Sequence, residues 1–488
     1  MGASDEVRLL EITMPQAGSA DAYAAMDSVI ASLDRRRVVL HFAGGLLGHE
    51  SAALALGGAA EAYDGAGACS VFLLQGGGLR QTLTRNLPRV LREAVFQIVL
   101  ARVLWCVLGK AAERSVLGAR GGAQSGKLPI PTVNRVAVEL SALQRGDEPY
   151  ATTAPRVDVS SLTAAEERWL TESLSRDRQL RSLGHSVRED EGLLMSSTRA
   201  EAAEHHGSGH GSRAVLELAT GLLVRKVVNA VRAVIERFRA GTHHGLYPTV
   251  VEEILREFCL AHLGGAVWAG MKDEAVTAFR SGDGSSTGLG RHFLNGFIDT
   301  VSGPETREVT LVGHGSGVPL MNAFLAALDA RRGLAEGILP ADFRIRDVVA
   351  VAPMCTFPEL ASMLRCRNTA FERFRMFALT DEAEQADHLV PVAYPRSLLY
   401  FVSGVLERDA NGTSAVLPLS GMARWYGPGQ TAGGPEAEEV RVLADAQPAS
   451  FIWLPETGPS VGASVTRSHS EILADPMVLS NLQALISS

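Results

Sequence analysis

The sequence predicts an α/β fold, with a mainly parallel sheet and helices on both faces, on three observations. Short apolar runs without polar alternation recur along the chain, as strands buried on both faces require. Amphipathic stretches of helical length stand between them, which is the βαβ pattern. Two of the runs end in glycine pairs or triplets, the mark of a strand entering a tight turn.

The elements follow in chain order. Val38-Val39-Leu40-His41-Phe42 is β-branched and apolar, and it breaks at Gly44-Gly45. A helix is expected over 50–63. A second strand, Cys69 to Leu74, ends at Gly76-Gly77-Gly78. Val95 to Leu108 is the most membrane-like stretch, but Gln97 and Arg102 interrupt it and it is too short to span a bilayer. It reads as a buried amphipathic helix. From 111 to 211 the periodicity dissolves into Gly, Ser, Arg and Glu, which predicts an insertion with partly disordered stretches.

Periodicity returns over 212–239, where Leu216, Leu223, Val227, Val231, Val234 and Phe238 recur at intervals of three, four or seven. A second helix is expected over 249–262. The pair forms a lid or part of the helical layer. Strands follow at 309–312, 348–351, 374–379 and 451–454, with helices at 320–332 and 476–486. The expected organisation is a core split by an insertion. Residues 1–110 supply its first part, 111–305 the insertion and helical lid region, and 306–488 its second part.

Composition narrows the function classes. Of the 488 residues 46% are apolar, enough for a large core without disulfide or metal. The net charge of −8 gives no reason to expect nucleic acid or anionic lipid as partner. Arg35-Arg36-Arg37 reads as a solvated helix end. The five cysteines are odd in number and widely spaced, with no C-x-x-C, so reduced thiols in a cytoplasmic protein are expected. Cys355 stands out because it follows a strand end. No secretory pattern opens the chain, and Glu6 occupies the place where a myristoylation signal has Ser or Thr.

Cofactor and metal signals are weak, and none is expected. His205, His206 and His210 lie among Gly and Ser, which hold nothing rigid. His243-His244 has no carboxylate partner at helical spacing, and no H-E-x-x-H occurs. Gly313-His314-Gly315 contains G-x-G, but Val318 holds the third glycine's place, which argues against a dinucleotide.

The decisive segment is Val309-Thr310-Leu311-Val312-Gly313-His314-Gly315-Ser316-Gly317-Val318-Pro319-Leu320. A strand runs into a Gly-rich turn and then a helix. That is the context of a nucleophile elbow, G-x-S-x-G, where a strained backbone needs small residues two places either side of the nucleophile. Gly313 and Gly317 flank Gly315 in this way, so the frame is present and the nucleophile position holds glycine.

On these residues the chain resembles the α/β-hydrolase family, whose elbow often reads Gly-His-Ser-x-Gly. More narrowly it looks like a group of uncharacterised bacterial α/β hydrolases with a His-Gly-Gly-Leu turn and a Gly-His-Ser elbow. Gly44-Gly45-Leu46, His244-Gly245-Leu246-Tyr247 with the Val251–Arg256 that follows, Phe374–Phe377 and above all Tyr394–Glu407 carry that likeness. Two positions depart from it. Gly315 replaces the serine, and Ala43 replaces the histidine of the turn. The resemblance implies an oxyanion or ligand pocket lined by Ala43, Gly44, Gly45 and His314, with His41 and His314 as structural residues beside the turns. It also implies the order nucleophile, acid, histidine. Asp387, four residues before Pro391, is the expected acid, and Asp381 is its rival. His469, after the last strand, is the expected histidine.

The functional expectation is a pseudoenzyme that keeps a pocket for a small acyl or ester-like ligand but cannot form an acyl-enzyme. One alternative is an active carboxylic-ester hydrolase, using Ser316 or a water positioned by His469 in the space at Gly315. In the inactive reading, Ser316 caps the following helix instead. A partner-binding scaffold is the third reading.

Overall fold

The computed structural model describes residues 9–11, 20–33, 35–44, 49–75, 83, 87–117, 160–186, 212–258, 260–280, 288–302, 307–332, 339, 343–367, 369–390, 394–407, 416–427, 434–455, 464 and 466–488. Seven strands form one sheet in the order β1-β3-β2-β4-β5-β6-β7. They are β1 (Leu9–Glu11), β2 (Arg37–Ala43), β3 (Ala68–Leu74), β4 (Glu308–His314), β5 (Ile345–Val351), β6 (Phe371–Leu379) and β7 (Phe451–Leu454). Every neighbouring pair is parallel. The central strands are buried on both sides, which is why their apolar runs do not alternate.

The helices are α1 (Ala20–Ala31), α2 (His49–Gly65), α3 (Ala94–Leu117), α4 (Ala164–Ser175), α5 (Arg178–Ser186), α6 (Ser212–Ala240), α7 (Leu246–Glu257), α8 (Leu260–Thr277), α9 (Leu289–Val301), α10 (Gly317–Arg332), α11 (Phe357–Arg365), α12 (Asp381–Ala386), α13 (Leu398–Phe401), α14 (Pro435–Ala446) and α15 (Pro476–Ser487). They divide unequally between the faces. Residues of α2 and α15 pack with Val39, Phe72, Val312 and Val349 on one side. On the other side Val38, Leu40, Phe42, Leu311 and Val348 meet α1, α9 and α10 and, through them, the insertion helices.

Helix α6 organises the insertion. Its stripe Leu223, Val227, Val231 and Val234 is fully buried against α3, α4, α5 and α7. Each such side chain contributes roughly 1.5–3 kcal/mol of burial. Helix α3 covers the apolar stretch read as a buried amphipathic helix, and Val95, Phe96, Val99, Leu100 and Val103 are all in the core. Among the described residues no helix is long and apolar enough to cross a membrane.

Two expectations need correction, and one strand was not foreseen. Inside the stretch expected to lack pattern, α4 and α5 are regular helices. Thr163 caps α4 in a capping box with Glu166. The helix expected over 249–262 starts earlier and ends at Glu257, and α8 then begins at Leu260. Strand β1, three residues long, is too short for any periodicity to reveal it. His205, His206, His210, Gly45 and Gly76-Gly77-Gly78 lie outside the described residues.

Candidate functional site

The strand order sets the location. From β2 the chain crosses to β3 on one side, and from β4 it crosses to β5 on the other. The helices that follow, α2 and α10, lie on opposite faces. The carboxyl ends of β2 and β4, paired at Ala43 and His314, therefore form a topological switch point, where open α/β sheets bind their ligands.

At that point the chain makes the bend that the sequence predicts. Gly315 follows β4 with φ +57°, in the left-handed region that a side chain enters only with strain. Its N–H continues the sheet by donating to Val351 O at 2.9 Å. Its carbonyl accepts from Met354 N at 3.1 Å and Val318 N at 3.3 Å, which locks the turn. Gly317 must be glycine, because a Cβ there would lie 2.0 Å from Phe42 O. A Cβ on Gly313 would press on Met321 and Val318 at 3.0 Å. One strand over, Ala352 is also left-handed, φ +48°, directly after Val351. Two adjacent strands thus turn out of the sheet with strained backbone at one edge.

Ser316 is buried, and its hydroxyl makes no hydrogen bond. It neither caps α10, as one sequence reading has it, nor meets an imidazole. The hydroxyl faces the β2 turn, where a Cβ on Gly44 would come within 1.9 Å of it. His41 points into the α2 layer, with Nδ1 2.9 Å from Tyr63 Oη and its ring against Phe72. Burial, reinforced by His314, holds His41 well below the ordinary imidazole range, so it stays neutral. Its Nε2 has no partner. His314 is half-buried, with its ring 6.3 Å from that of His41. Ala43 lines the α2 side of the sheet.

The histidine expected after the last strand stands in a short 3₁₀ turn, 469–474, that leads into α15. His469 is buried, and its Nδ1 lies 3.2 Å from Glu384 Oε1 on α12. A carboxylate only accepts, so Nδ1 carries the hydrogen of this contact. Both expected acids lie in the same segment with other partners. Asp387 Oδ2 accepts the backbone N–H of His469 at 2.9 Å, so it fixes the loop. Asp381 accepts from Tyr400 Oη at 2.5 Å and from Gln385 Nε2 at 2.7 Å. Glu384 is the acid against the ring, and sequence reasoning passed it over. No spacing rule marks it among the four acids of residues 381–387. The signal was its place halfway between the two candidates, on the inner side of a helix not foreseen there.

A second polar cluster is fully buried where α7 meets the segment after β6. His244 Nδ1 lies 2.9 Å from Glu252 Oε1, and Tyr394 Oη donates to the same oxygen. The Arg237 guanidinium sits 2.5 Å from Glu252 Oε2 and 3.0 Å from Glu253 Oε1. Gly404 packs so close that a Cβ would lie 2.5 Å from the Glu252 carboxyl. Burial, which outweighs the attraction of Glu252, brings His244 down to about 3. Burial alone would raise Glu252, but His244, Arg237 and Tyr394 together bring it down to about 2. Two segments singled out in the sequence, 244–256 and 394–407, therefore meet in one network.

No disulfide joins described cysteines; Cys355 is buried with Sγ 3.0 Å from Ser420 Oγ, and burial pushes its thiol up, so it is not a poised nucleophile. His243 stacks on Phe238 with ring centroids 4.2 Å apart. Among the described residues no group of three metal-ligating side chains occurs. Comparison with protein-family models, with curated proteins and with solved structures finds no match.

Proposed function

We propose that the protein is an α/β-hydrolase-type pseudoenzyme that binds a small acyl or ester-like ligand at the switch point without forming an acyl-enzyme. One observation carries this reading. Gly315 has the left-handed bend of a nucleophile elbow, between a central strand and a helix, but has no hydroxyl to attack with. The order elbow, acid, histidine along the chain supports it, with Gly315, Glu384 and His469 each following a different strand at the same sheet edge. The buried, unpartnered Ser316 Oγ and Glu384 Oε2 suit a site that a polar ligand or water completes.

The active reading through Ser316 has geometry against it, since the hydroxyl faces Gly44 and touches no base. A water held by His469 Nε2 remains the catalytic alternative. The scaffold reading needs an exposed 394–407 segment, whereas Leu399, Tyr400, Phe401 and Val402 are in the core.

Gly315→Ser tests the proposal. The bend costs a side chain about 1–2 kcal/mol, which a fold of this size tolerates. The variant is expected to hydrolyse a short p-nitrophenyl ester in a His469-dependent manner, while the unmodified chain does not. Turnover by the unmodified chain that disappears in His469→Ala would count against the inactive reading and favour the water.

A further inference from the structure

The contact between Glu384 and His469 hangs on α12, a helix of six residues. A helix this short does not hold itself, because nucleation costs more than so few bonds return. Thr380 caps its N-terminus by accepting from Ala383 N. The segment 394–400 supports both its ends. At the front, Tyr400 Oη donates to Asp381 Oδ1. At the back, Arg396 Nη1 donates to Gln385 O at 3.3 Å and Ser397 N to Glu384 O at 3.3 Å, satisfying carbonyls that the helix end leaves open.

Arg396 makes an unusual bridge. It is buried, and its guanidinium bonds only to carbonyls: His244 O at 3.0 Å, Pro395 O at 2.7 Å and Gln385 O. Among the described residues no carboxylate lies within ion-pair reach of it. Packing alone would be served by an apolar side chain at lower desolvation cost. A buried guanidinium ties carbonyls of two other segments, His244 O and Gln385 O, to its own, which an apolar group cannot do. Tyr400 is likewise oriented, with its ring edge-on to His244 at 4.6 Å and Arg424 5.7 Å above its face.

We propose that Tyr400 and Arg396 are positioning residues, which splint α12 so that Glu384 holds the His469 imidazole in its Nδ1–H tautomer. The inference rests on reading Glu384 and His469 as the functional pair of the site, and it does not depend on whether the chain turns over an ester. It gives the Tyr394–Glu407 segment a task at the site although neither Tyr400 nor Arg396 hydrogen-bonds to His469.

Nitrogen NMR of the full chain with labelled histidine tests it. In the unmodified protein His469 is expected as a single Nδ1–H tautomer with slow proton exchange. Glu384→Ala shows what loss of the pair looks like. Tyr400→Phe keeps the ring and removes only the hydroxyl. It should speed exchange of that proton by about tenfold, the factor expected for a weakened charge-assisted bond, and admit the Nε2–H tautomer. Arg396→Met should do the same, and Arg396→Lys should recover part of the signal. If the Arg396 variants do not fold, Tyr400→Phe decides. A lower melting temperature in Tyr400→Phe with the His469 signal unchanged would overturn the positioning role and leave the pair standing. An unchanged signal in Glu384→Ala would overturn both the pair and the splint.

Discussion

At the residue scale, two backbone angles dominate the sheet edge. Gly315 and Ala352 both turn left-handed on neighbouring strands, yet only one is glycine. The Gly315 bend was legible, because the flanking glycines two residues either side have a steric reason that the packing bears out. The Ala352 bend was not, since alanine carries no signal for a positive φ. The angle is imposed by the ladder, where Ala352 N donates to Phe377 O at 2.7 Å. A non-glycine residue in this region costs about 1–2 kcal/mol, and glycine at a buried site gives back part of that gain in unfolded-state entropy. Ala352→Gly is therefore expected to change stability by less than about 1 kcal/mol in denaturant unfolding. Ala352→Val, β-branched and larger in a closed core, should cost more than about 2 kcal/mol. Equal stability of the two variants would show that the bend carries no strain.

At the element scale, α7 and the loop that leads into it are joined by Glu252 and His244. The unfolded chain protonates a histidine as pH falls through its ordinary 6.5, whereas folded His244 resists down to about 3. Between those values the unfolded state binds more protons, so stability present at neutral pH is lost on acidification, by at most about 1.4 kcal/mol per pH unit for one group. Glu252, lowered from 4.5 to about 2, has the same sign at the lower end of the range. Burial gives His41 and His243 the same direction. His244→Gln keeps a donor for Glu252 and removes one of these contributions. Its stability curve between pH 6.5 and 4 should be shallower than that of the unmodified chain. An identical acid slope would mean that His244 is not held neutral by the fold. The network itself was hidden from the sequence. A buried His–Glu pair eight residues apart bridges a loop and a helix, so no helical spacing marks it. The same holds for Glu384, whose helix is too short to show a period.

At the scale of the whole molecule, six of the seven strands were legible, because a parallel sheet covered on both faces demands continuous apolar runs. Their order was not, since crossover direction leaves no local trace. That order creates the switch point and brings residues 44, 315 and 352 to one edge with the loops that hold 384 and 469. The account stands on a bend without a reactive atom. A fluorophosphonate probe followed by peptide mass analysis tests this most directly, because it marks a hydroxyl only where a base activates it. The unmodified chain should carry no adduct, and Gly315→Ser should gain one at position 315 that disappears when His469 is also replaced by alanine. An adduct on Ser316 of the unmodified chain would contradict the account.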